Sequence, residues 1–173
     1  MKTLILGGVR SGKSRLAETM ARQSGLAVTY IATASGNDEA MAARIKTHQQ
    51  RRPPEWGKLE EKFHLAQAIE SVAAEDRCIL VDCLSLWMTN LLLSEDEVLI
   101  ENESGALLQC LGQVHAQIIM VSSESNMGVI PMGELSRRYC DLIGQLHQRV
   151  AAESERVILT VAGLPHTLKG DKV

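Results

Sequence analysis

The chain has 173 residues, of which 45% are hydrophobic, and its formal net charge is −3. These values are ordinary for one globular domain over residues 1–173 with a substantial core. The negative charge and the 3% aromatic content argue against a nucleic-acid-binding surface. No apolar run approaches the roughly 20 residues of a membrane span, and an immediate first strand leaves no room for a signal peptide. We therefore expect a cytoplasmic protein.

The first predicted elements are a strand, a glycine-rich loop and a helix. Residues 3–6 are a short apolar run typical of a buried strand, and apolar residues at helical spacing follow between residues 14 and 24. The segment between them fits G-x-x-x-x-G-K-[ST], the phosphate-binding loop, in the strand–loop–helix context that this loop requires. Its residues are Gly7, Gly8, Val9, Arg10, Ser11, Gly12, Lys13 and Ser14.

Each residue type in this loop suits the binding of a nucleoside triphosphate. Glycines let the backbone curl so that several N–H groups point at phosphate oxygens, and the helix start adds the positive end of its dipole. We expect Lys13 to reach the β- and γ-phosphates and the Ser14 hydroxyl to ligate Mg²⁺. The alternative is a glycine-rich turn with a chance lysine, which the flanking strand and helix disfavour.

The rest of the chain alternates between predicted strands and helices. Strands are predicted at 27–33, 78–82, 118–122 and 156–162, with a short extended piece at 56–61. Helices are predicted at about 37–50, 64–74, 84–93, 103–116 and 134–152, and residues 163–165 are expected to turn into a tail. This alternation predicts an α/β fold with a mainly parallel sheet and helices on both faces.

Four segments follow predicted strand ends, where ligands of parallel sheets bind. They are the glycine loop, residues 32–34, Asp82 and residues 122–128, and we expect them to line one rim. Asp82 ends an apolar strand, as a Walker-B carboxylate near Mg²⁺ does. An apolar strand ending in aspartate is common by itself, so this interpretation depends on the glycine loop.

A cationic patch follows the second predicted strand. Its residues are Arg44, Lys46, His48, Arg51 and Arg52. Such a patch suits a second set of phosphates. Imidazole is largely neutral near pH 7 and is a competent nitrogen nucleophile toward phosphorus. A lone histidine on a basic helix is more often an ordinary surface residue, so the residues alone leave both interpretations open.

The four cysteines show neither C-x-x-C spacing nor a nearby histidine pair. They are Cys78, Cys83, Cys110 and Cys140. This pattern predicts buried free thiols rather than zinc ligands or disulfides.

Motifs spread along the chain point to one family. They are the loop at 7–14, Tyr-Ile-Ala-Thr-Ala at 30–34, the segment 41–56 with His48, the segments 60–61 and 82–92, Gly-x-Ile-Pro at 128–131, the segment 137–144, and Ala-Gly-Leu-Pro at 162–165. In this order and spacing they resemble the bifunctional adenosylcobinamide kinase / adenosylcobinamide-phosphate guanylyltransferase of cobalamin biosynthesis. The resemblance runs nearly end to end.

This resemblance implies a P-loop NTPase fold of the RecA-like type that carries out two reactions. In the first, ATP or GTP phosphorylates the aminopropanol hydroxyl of adenosylcobinamide. In the second, the histidine matching His48 attacks the α-phosphate of GTP, releases pyrophosphate and passes GMP to the cobinamide phosphate, which gives adenosylcobinamide-GDP. The family also implies a homotrimer.

The same resemblance extends the nucleotide site beyond the loop. The added residues are Ala32, Thr33, Ala34, Gln49, Gln50, Arg51, Arg52, Glu60 and Asp82. His48 and Lys13 would be catalytic, and Ser14 and Asp82 would bind the metal. Glu60 could accept hydrogen bonds from guanine N1–H and N2–H₂, although without the family a solvated acid beside Glu61 is the default interpretation.

Three features depart from the family pattern. Residues 122–126 read Ser-Ser-Glu-Ser-Asn where the family usually has Ser-Asn-Glu-Val-Gly, His147 stands where asparagine is common, and His166 follows the turn at 163–165. The altered loop leaves a strand end near the nucleotide rim, so one activity, such as the kinase, could be weakened. Two alternatives are a plain P-loop kinase for another small hydroxyl substrate and a nucleotide-binding regulatory protein without phosphoryl transfer.

Overall fold

The computed structural model describes residues 1–33 and 53–172. The strands are β1 (Lys2–Gly7), β2 (Ala27–Ala32), β3 (Gly57–Glu60), β4 (Arg77–Asp82), β5 (Gln117–Ser123), β6 (Arg156–Val161) and β7 (Leu164–Lys169). The helices are α1 (Lys13–Gln23), α2 (Leu65–Val72), α3 (Leu84–Leu93), α4 (Glu97–Gln113) and α5 (Glu134–Glu153). None of these five helices is long and apolar enough to cross a membrane.

The seven strands form one sheet in the order β3-β2-β4-β5-β1-β6-β7. All neighbours pair in parallel except β6 and β7, which are antiparallel. β1 lies inside the sheet between β5 and β6, and its last five residues are all buried. Burial on both faces explains why the central strands read as continuous apolar runs.

The core divides between the two faces of the sheet because successive strand residues point to opposite sides. Leu4 and Leu6 pack with apolar residues of α2, α3, α4 and α5 on one face. Ile5 packs with Ala17 and Met20 of α1 on the other face. The expected mainly parallel sheet with helices on both faces is therefore confirmed, and the helix predicted at 37–50 lies outside the described residues.

The fourth helix starts earlier than predicted. The sequence predicts this helix from about residue 103. The helix begins at Glu97, because the Asp96 side chain accepts a hydrogen bond from the Leu99 backbone N–H (3.0 Å) and so caps the first turn. An acidic residue in that turn also complements the helix dipole.

The tail predicted after residue 163 is wrong, since Leu164–Lys169 forms strand β7. A two-residue turn at Ala162 and Gly163, with φ values of 52° and 81°, reverses the chain into an antiparallel hairpin with β6. Positive φ at both turn residues matches the twist that tight hairpins require. β7 is an exposed edge strand containing Pro165, so it carries no apolar alternation that would reveal it in the sequence.

The cysteines are free, as predicted, and Cys78, Cys83 and Cys110 are buried. Burial raises the pKa of the Cys83 and Cys110 thiols, each to about 11. These two thiols are therefore protonated near neutral pH. Cys140 is only partly buried, which the sequence did not predict.

Candidate functional site

The predicted site segments meet at the carboxyl edge of the sheet. Ala32 at the end of β2 lies opposite Glu60 of β3 on one side and Asp82 of β4 on the other. Gly7 at the end of β1 lies opposite Ser123 of β5. Since β5 separates β1 from β4, Asp82 lies two strands from the loop. The expected common rim is therefore observed for the described part of the chain.

The loop after β1 has the backbone geometry of an anion-binding nest. Gly7 and Gly12 have φ values of 152° and 101°, and Arg10 adopts a positive φ of 56°. α1 begins at Lys13 directly after Gly12, and no side chain caps its first turn among the described residues. The free N–H groups of such a helix start favour a phosphate ligand.

Lys13 is folded over the loop. Its side chain is buried, and its Nζ donates a hydrogen bond to the Gly8 carbonyl oxygen at 2.7 Å. Burial and the Asp82 charge raise the pKa of the Cys83 thiol, and the Lys13 charge opposes this rise more weakly. Ser14 and Asp82 are both half-buried.

The β6–β7 hairpin packs against the phosphate-binding loop. The Gly163 N–H donates to the Ser11 carbonyl oxygen at 2.8 Å. A Cβ atom on Gly12 would lie 3.1 Å from the Gly163 Cα, and a Cβ atom on Gly7 would overlap the Thr160 carbonyl oxygen. Sequence reasoning noted residues 162–165 as a motif but missed this contact, because it joins residues at opposite ends of the chain.

Thr33 joins the ends of β2 and β4. Its fully buried hydroxyl donates to the Cys83 carbonyl at 2.7 Å and accepts from the Cys83 N–H at 3.0 Å. The Thr33 carbonyl accepts a hydrogen bond from Asn90 Nδ2 at 2.8 Å. These bonds hold the residue that follows Asp82. The structure thus gives the Thr33 side chain and Asn90 a supporting position that sequence reasoning did not anticipate.

The adjacent acids Glu60 and Glu61 differ in their exposure and in their bonding partners. Glu61 Oε1 accepts hydrogen bonds from the backbone N–H groups of Phe63 (2.8 Å) and His64 (3.0 Å) at the start of α2. Burial raises the pKa of Glu61, but these and a further backbone hydrogen bond outweigh it and lower the value overall. Glu60 is exposed at the rim and pairs with Lys58 at 2.6 Å. Of these two acids, Glu60 is therefore the one whose side chain is exposed at the rim.

The remaining predicted site residues lie outside the described residues. They are Ala34, Arg44, Lys46, His48, Gln49, Gln50, Arg51 and Arg52. This segment follows Thr33 at the carboxyl edge and precedes Trp56, whose ring lies 5.8 Å from the Arg22 guanidinium of α1. The placement of His48 stays a prediction from the sequence.

The loop geometry predicts that alanine destabilises the chain at Gly7 but not at the neighbouring Gly8. Gly7→Ala should lower the free energy of unfolding by about 1–3 kcal/mol, because the new Cβ overlaps the Thr160 carbonyl and φ is positive. Gly8→Ala should change it by less than about 0.5 kcal/mol, since its Cβ meets no heavy atom within 4 Å among the described residues. Urea unfolding of the nucleotide-free chain measures both. Equal losses would contradict the described backbone.

Comparison with solved structures identifies the fold. The RadB recombinase aligns with a TM-score of 0.54 at 13% identity, over 91% of this chain and 73% of that one. A Pyrococcus horikoshii protein, PH0250, aligns with a TM-score of 0.59 at 9% identity, over 99% and 87% of the two chains. Likeness at such identities concerns the fold alone, and it confirms the expected RecA-like P-loop NTPase fold.

Comparison with known sequences identifies the family. The chain is 57% identical to the bifunctional adenosylcobalamin biosynthesis protein CobP of Pseudomonas aeruginosa, over 99% of both proteins. It is 34% identical to CobU, a protein of the same description, from Escherichia coli, over 98% of this chain and 100% of that one. Residues 3–168 match the family described as cobinamide kinase / cobinamide phosphate guanyltransferase. The chain therefore belongs to this family of bifunctional enzymes.

Proposed function

We propose that this chain carries out two successive reactions at one nucleotide site. It phosphorylates the aminopropanol hydroxyl of adenosylcobinamide with a nucleoside triphosphate, and it then transfers GMP from GTP to that phosphate to give adenosylcobinamide-GDP. The observation that carries the proposal is the loop Gly7–Ser14, with Lys13 folded across it. This loop lies at the sheet edge where β4 ends with Asp82. The family and its bifunctional relatives supply the substrate class.

In the kinase reaction, the loop holds the triphosphate of ATP or GTP. Lys13 would move from the Gly8 carbonyl, to which it donates in the unliganded chain, to the β- and γ-phosphates, where its charge would stabilise the transferring phosphoryl group. The Ser14 hydroxyl and the Asp82 carboxylate are hard oxygen donors of the kind that Mg²⁺ prefers, and both belong to the same edge of the sheet. Bound Mg²⁺ would neutralise charge on the phosphate oxygens.

In the guanylyl transfer, His48 is the nucleophile. An imidazole nitrogen forms a bond to the α-phosphorus of GTP while the bond to the pyrophosphate oxygen breaks and pyrophosphate leaves with the electron pair. A phosphate oxygen of the cobinamide phosphate then attacks the same phosphorus, and the P–N bond breaks. Covalent catalysis divides one difficult displacement into two easier ones. Arg44, Arg51 and Arg52 would neutralise the charge that builds on the α-phosphoryl oxygens.

Glu60 would select guanine over adenine. A carboxylate can accept hydrogen bonds from both N1–H and N2–H₂ of guanine, whereas adenine presents an unprotonated N1 and no 2-amino group. Support comes from the exposure of Glu60 at the rim and from the hydrogen bonds by which its neighbour, Glu61, holds the start of α2.

The cytoplasmic location and the homotrimeric state of the chain also stay predictions.

The covalent mechanism predicts a labelled intermediate. After incubation with GTP labelled at the α-phosphate, the denatured chain should retain acid-labile, alkali-stable label, and GTP labelled at the γ-phosphate should leave none. His48→Ala should lose the label, because no nucleophile remains. His115→Ala, a change at an exposed histidine outside the rim, is the matched control and should keep it. Absence of label in the unaltered chain, despite GTP binding, would favour a plain P-loop kinase.

The base-recognition proposal predicts a change in nucleotide preference. Glu60→Gln should weaken GTP binding relative to ATP by about tenfold, because one acceptor becomes an amide donor facing guanine N–H groups. Glu61→Gln is the control, and its remaining side-chain oxygen can still accept both backbone hydrogen bonds. Calorimetric titration of both variants with GTP and ATP measures the ratio. An unchanged ratio in Glu60→Gln would remove Glu60 from base recognition.

A further inference from the structure

Besides Asp82, a further carboxylate lies beside the phosphate-binding loop, and it takes no part in the steps described above. Glu124 follows β5, the strand between β1 and β4. Its backbone N–H donates to the Gly7 carbonyl oxygen at 2.9 Å. This bond fixes Glu124 against the first glycine of the loop, between the strand that leads to Lys13 and the strand that ends at Asp82.

One oxygen of the Glu124 side chain accepts a hydrogen bond, and the other lies near an imidazole nitrogen. Oε1 accepts the Asn126 backbone N–H at 2.7 Å, and Oε2 lies 3.6 Å from Nδ1 of His147. The side chain is only 14% exposed. A carboxylate restrained in this way keeps one orientation while a small part of it stays open to a ligand.

His147 is buried, and its two nitrogens face different groups. Nε2 lies 2.7 Å from the Ser122 hydroxyl, while Nδ1 has no hydrogen-bond partner among the described residues and faces Glu124. One neutral tautomer suits both contacts, with Nδ1–H directed at the carboxylate and Nε2 accepting from Ser122. Burial lowers the pKa of His147, which favours this neutral form.

The loop that carries Glu124 is packed on one face of α5. Asn126 Nδ2 donates to the Cys140 carbonyl at 2.8 Å, and a Cβ atom on Gly144 would lie 2.8 Å from the same nitrogen. Cys140, Gly144 and His147 are four and three residues apart, so they share a helix face. Asn126, in this loop, and His147, on α5, both depart from the family pattern. Their contacts hold the loop against α5.

We propose that Glu124 accepts the proton of the acceptor hydroxyl in the kinase reaction and that His147 is the residue that positions it. The inference rests on the proposed function. The hydroxyl oxygen forms a bond to the γ-phosphorus, and the bond from that phosphorus to the bridging oxygen breaks. The electron pair leaves on the nucleoside diphosphate, and the hydroxyl proton passes to a Glu124 carboxylate oxygen.

Topology favours Glu124 over the other described carboxylates that end strands at this edge. Asp82 is assigned to the metal. Glu60 lies on β3, four strands from β1, or about 19 Å at the usual spacing of strands. Glu124 is one strand from the loop and is hydrogen-bonded to it. A general base must lie within reach of the hydroxyl that attacks the γ-phosphate, and of these three carboxylates Glu124 is the one that follows the strand next to β1 and its loop.

The test compares two activities of the full-length chain. Glu124→Gln should lower kcat for phosphorylation of adenosylcobinamide by ATP at least about 100-fold, because the amide cannot take the proton. The KM for ATP should change less than about threefold, and labelling by α-labelled GTP should persist, since both depend on the loop. Glu134→Gln, at an exposed position at the start of α5, is the matched control.

The role of His147 has its own readout. His147→Asn should keep kcat within a few-fold, because the asparagine amide nitrogen can occupy the place of Nδ1 and still donate toward Glu124. His147→Leu removes that donor and should lower kcat at least about tenfold with little change in KM. Equal activity of the two variants would overturn the positioning role.

Three outcomes would overturn the proposal for Glu124. Glu124→Gln with nearly normal kinase activity would overturn this inference alone, as would a loss of label and ATP binding in that variant, which would show that Glu124 only holds the loop. An unaltered chain that neither phosphorylates adenosylcobinamide nor becomes labelled would overturn the proposed function and this inference together.

Discussion

The site depends on the close approach of backbone segments at Gly7, where β1 ends between β5 and β6. A Cβ atom at this position would overlap the Thr160 carbonyl oxygen, so glycine is the residue that fits here without strain. The neighbouring strands hold the loop from two sides, through the Glu124 N–H on Gly7 and the Gly163 N–H on Ser11. The loop that leads to Lys13 is thus anchored by backbone hydrogen bonds from both sides.

In the proposed function, one edge of the sheet serves both reactions. Parallel pairing places the ends of five strands in one line, in the order β3, β2, β4, β5 and β1. The residues at or after these ends follow the same order along the line: Glu60, Asp82, Glu124 and Lys13. In the proposed function, phosphate chemistry would take place at the Lys13 end of this line and base recognition at the Glu60 end. Thr33 supports the middle of this line through hydrogen bonds to Cys83, which follows Asp82, and Asn90 donates to the Thr33 carbonyl oxygen.

The sequence predicts features that depend on local pattern, and it misses those that depend on distant contacts. The glycine loop and the Asp82 strand were predicted because their motifs are contiguous. The strand Leu164–Lys169 was missed because an exposed edge strand needs no apolar alternation. The different uses of Glu60 and Glu61, and the contact of His147 with Ser122 and Glu124, arise only when separate elements pack together.

The central claim is that the single loop at 7–14 serves both reactions, and Lys13→Ala tests it most directly. Kinase activity with ATP and labelling by α-labelled GTP should both fall by at least about 100-fold, because removing a charge that stabilises the transferring group costs this much in comparable sites. The free energy of unfolding should stay near that of the unaltered chain. Loss of kinase activity with full GMP labelling would contradict the claim and require a second nucleotide site.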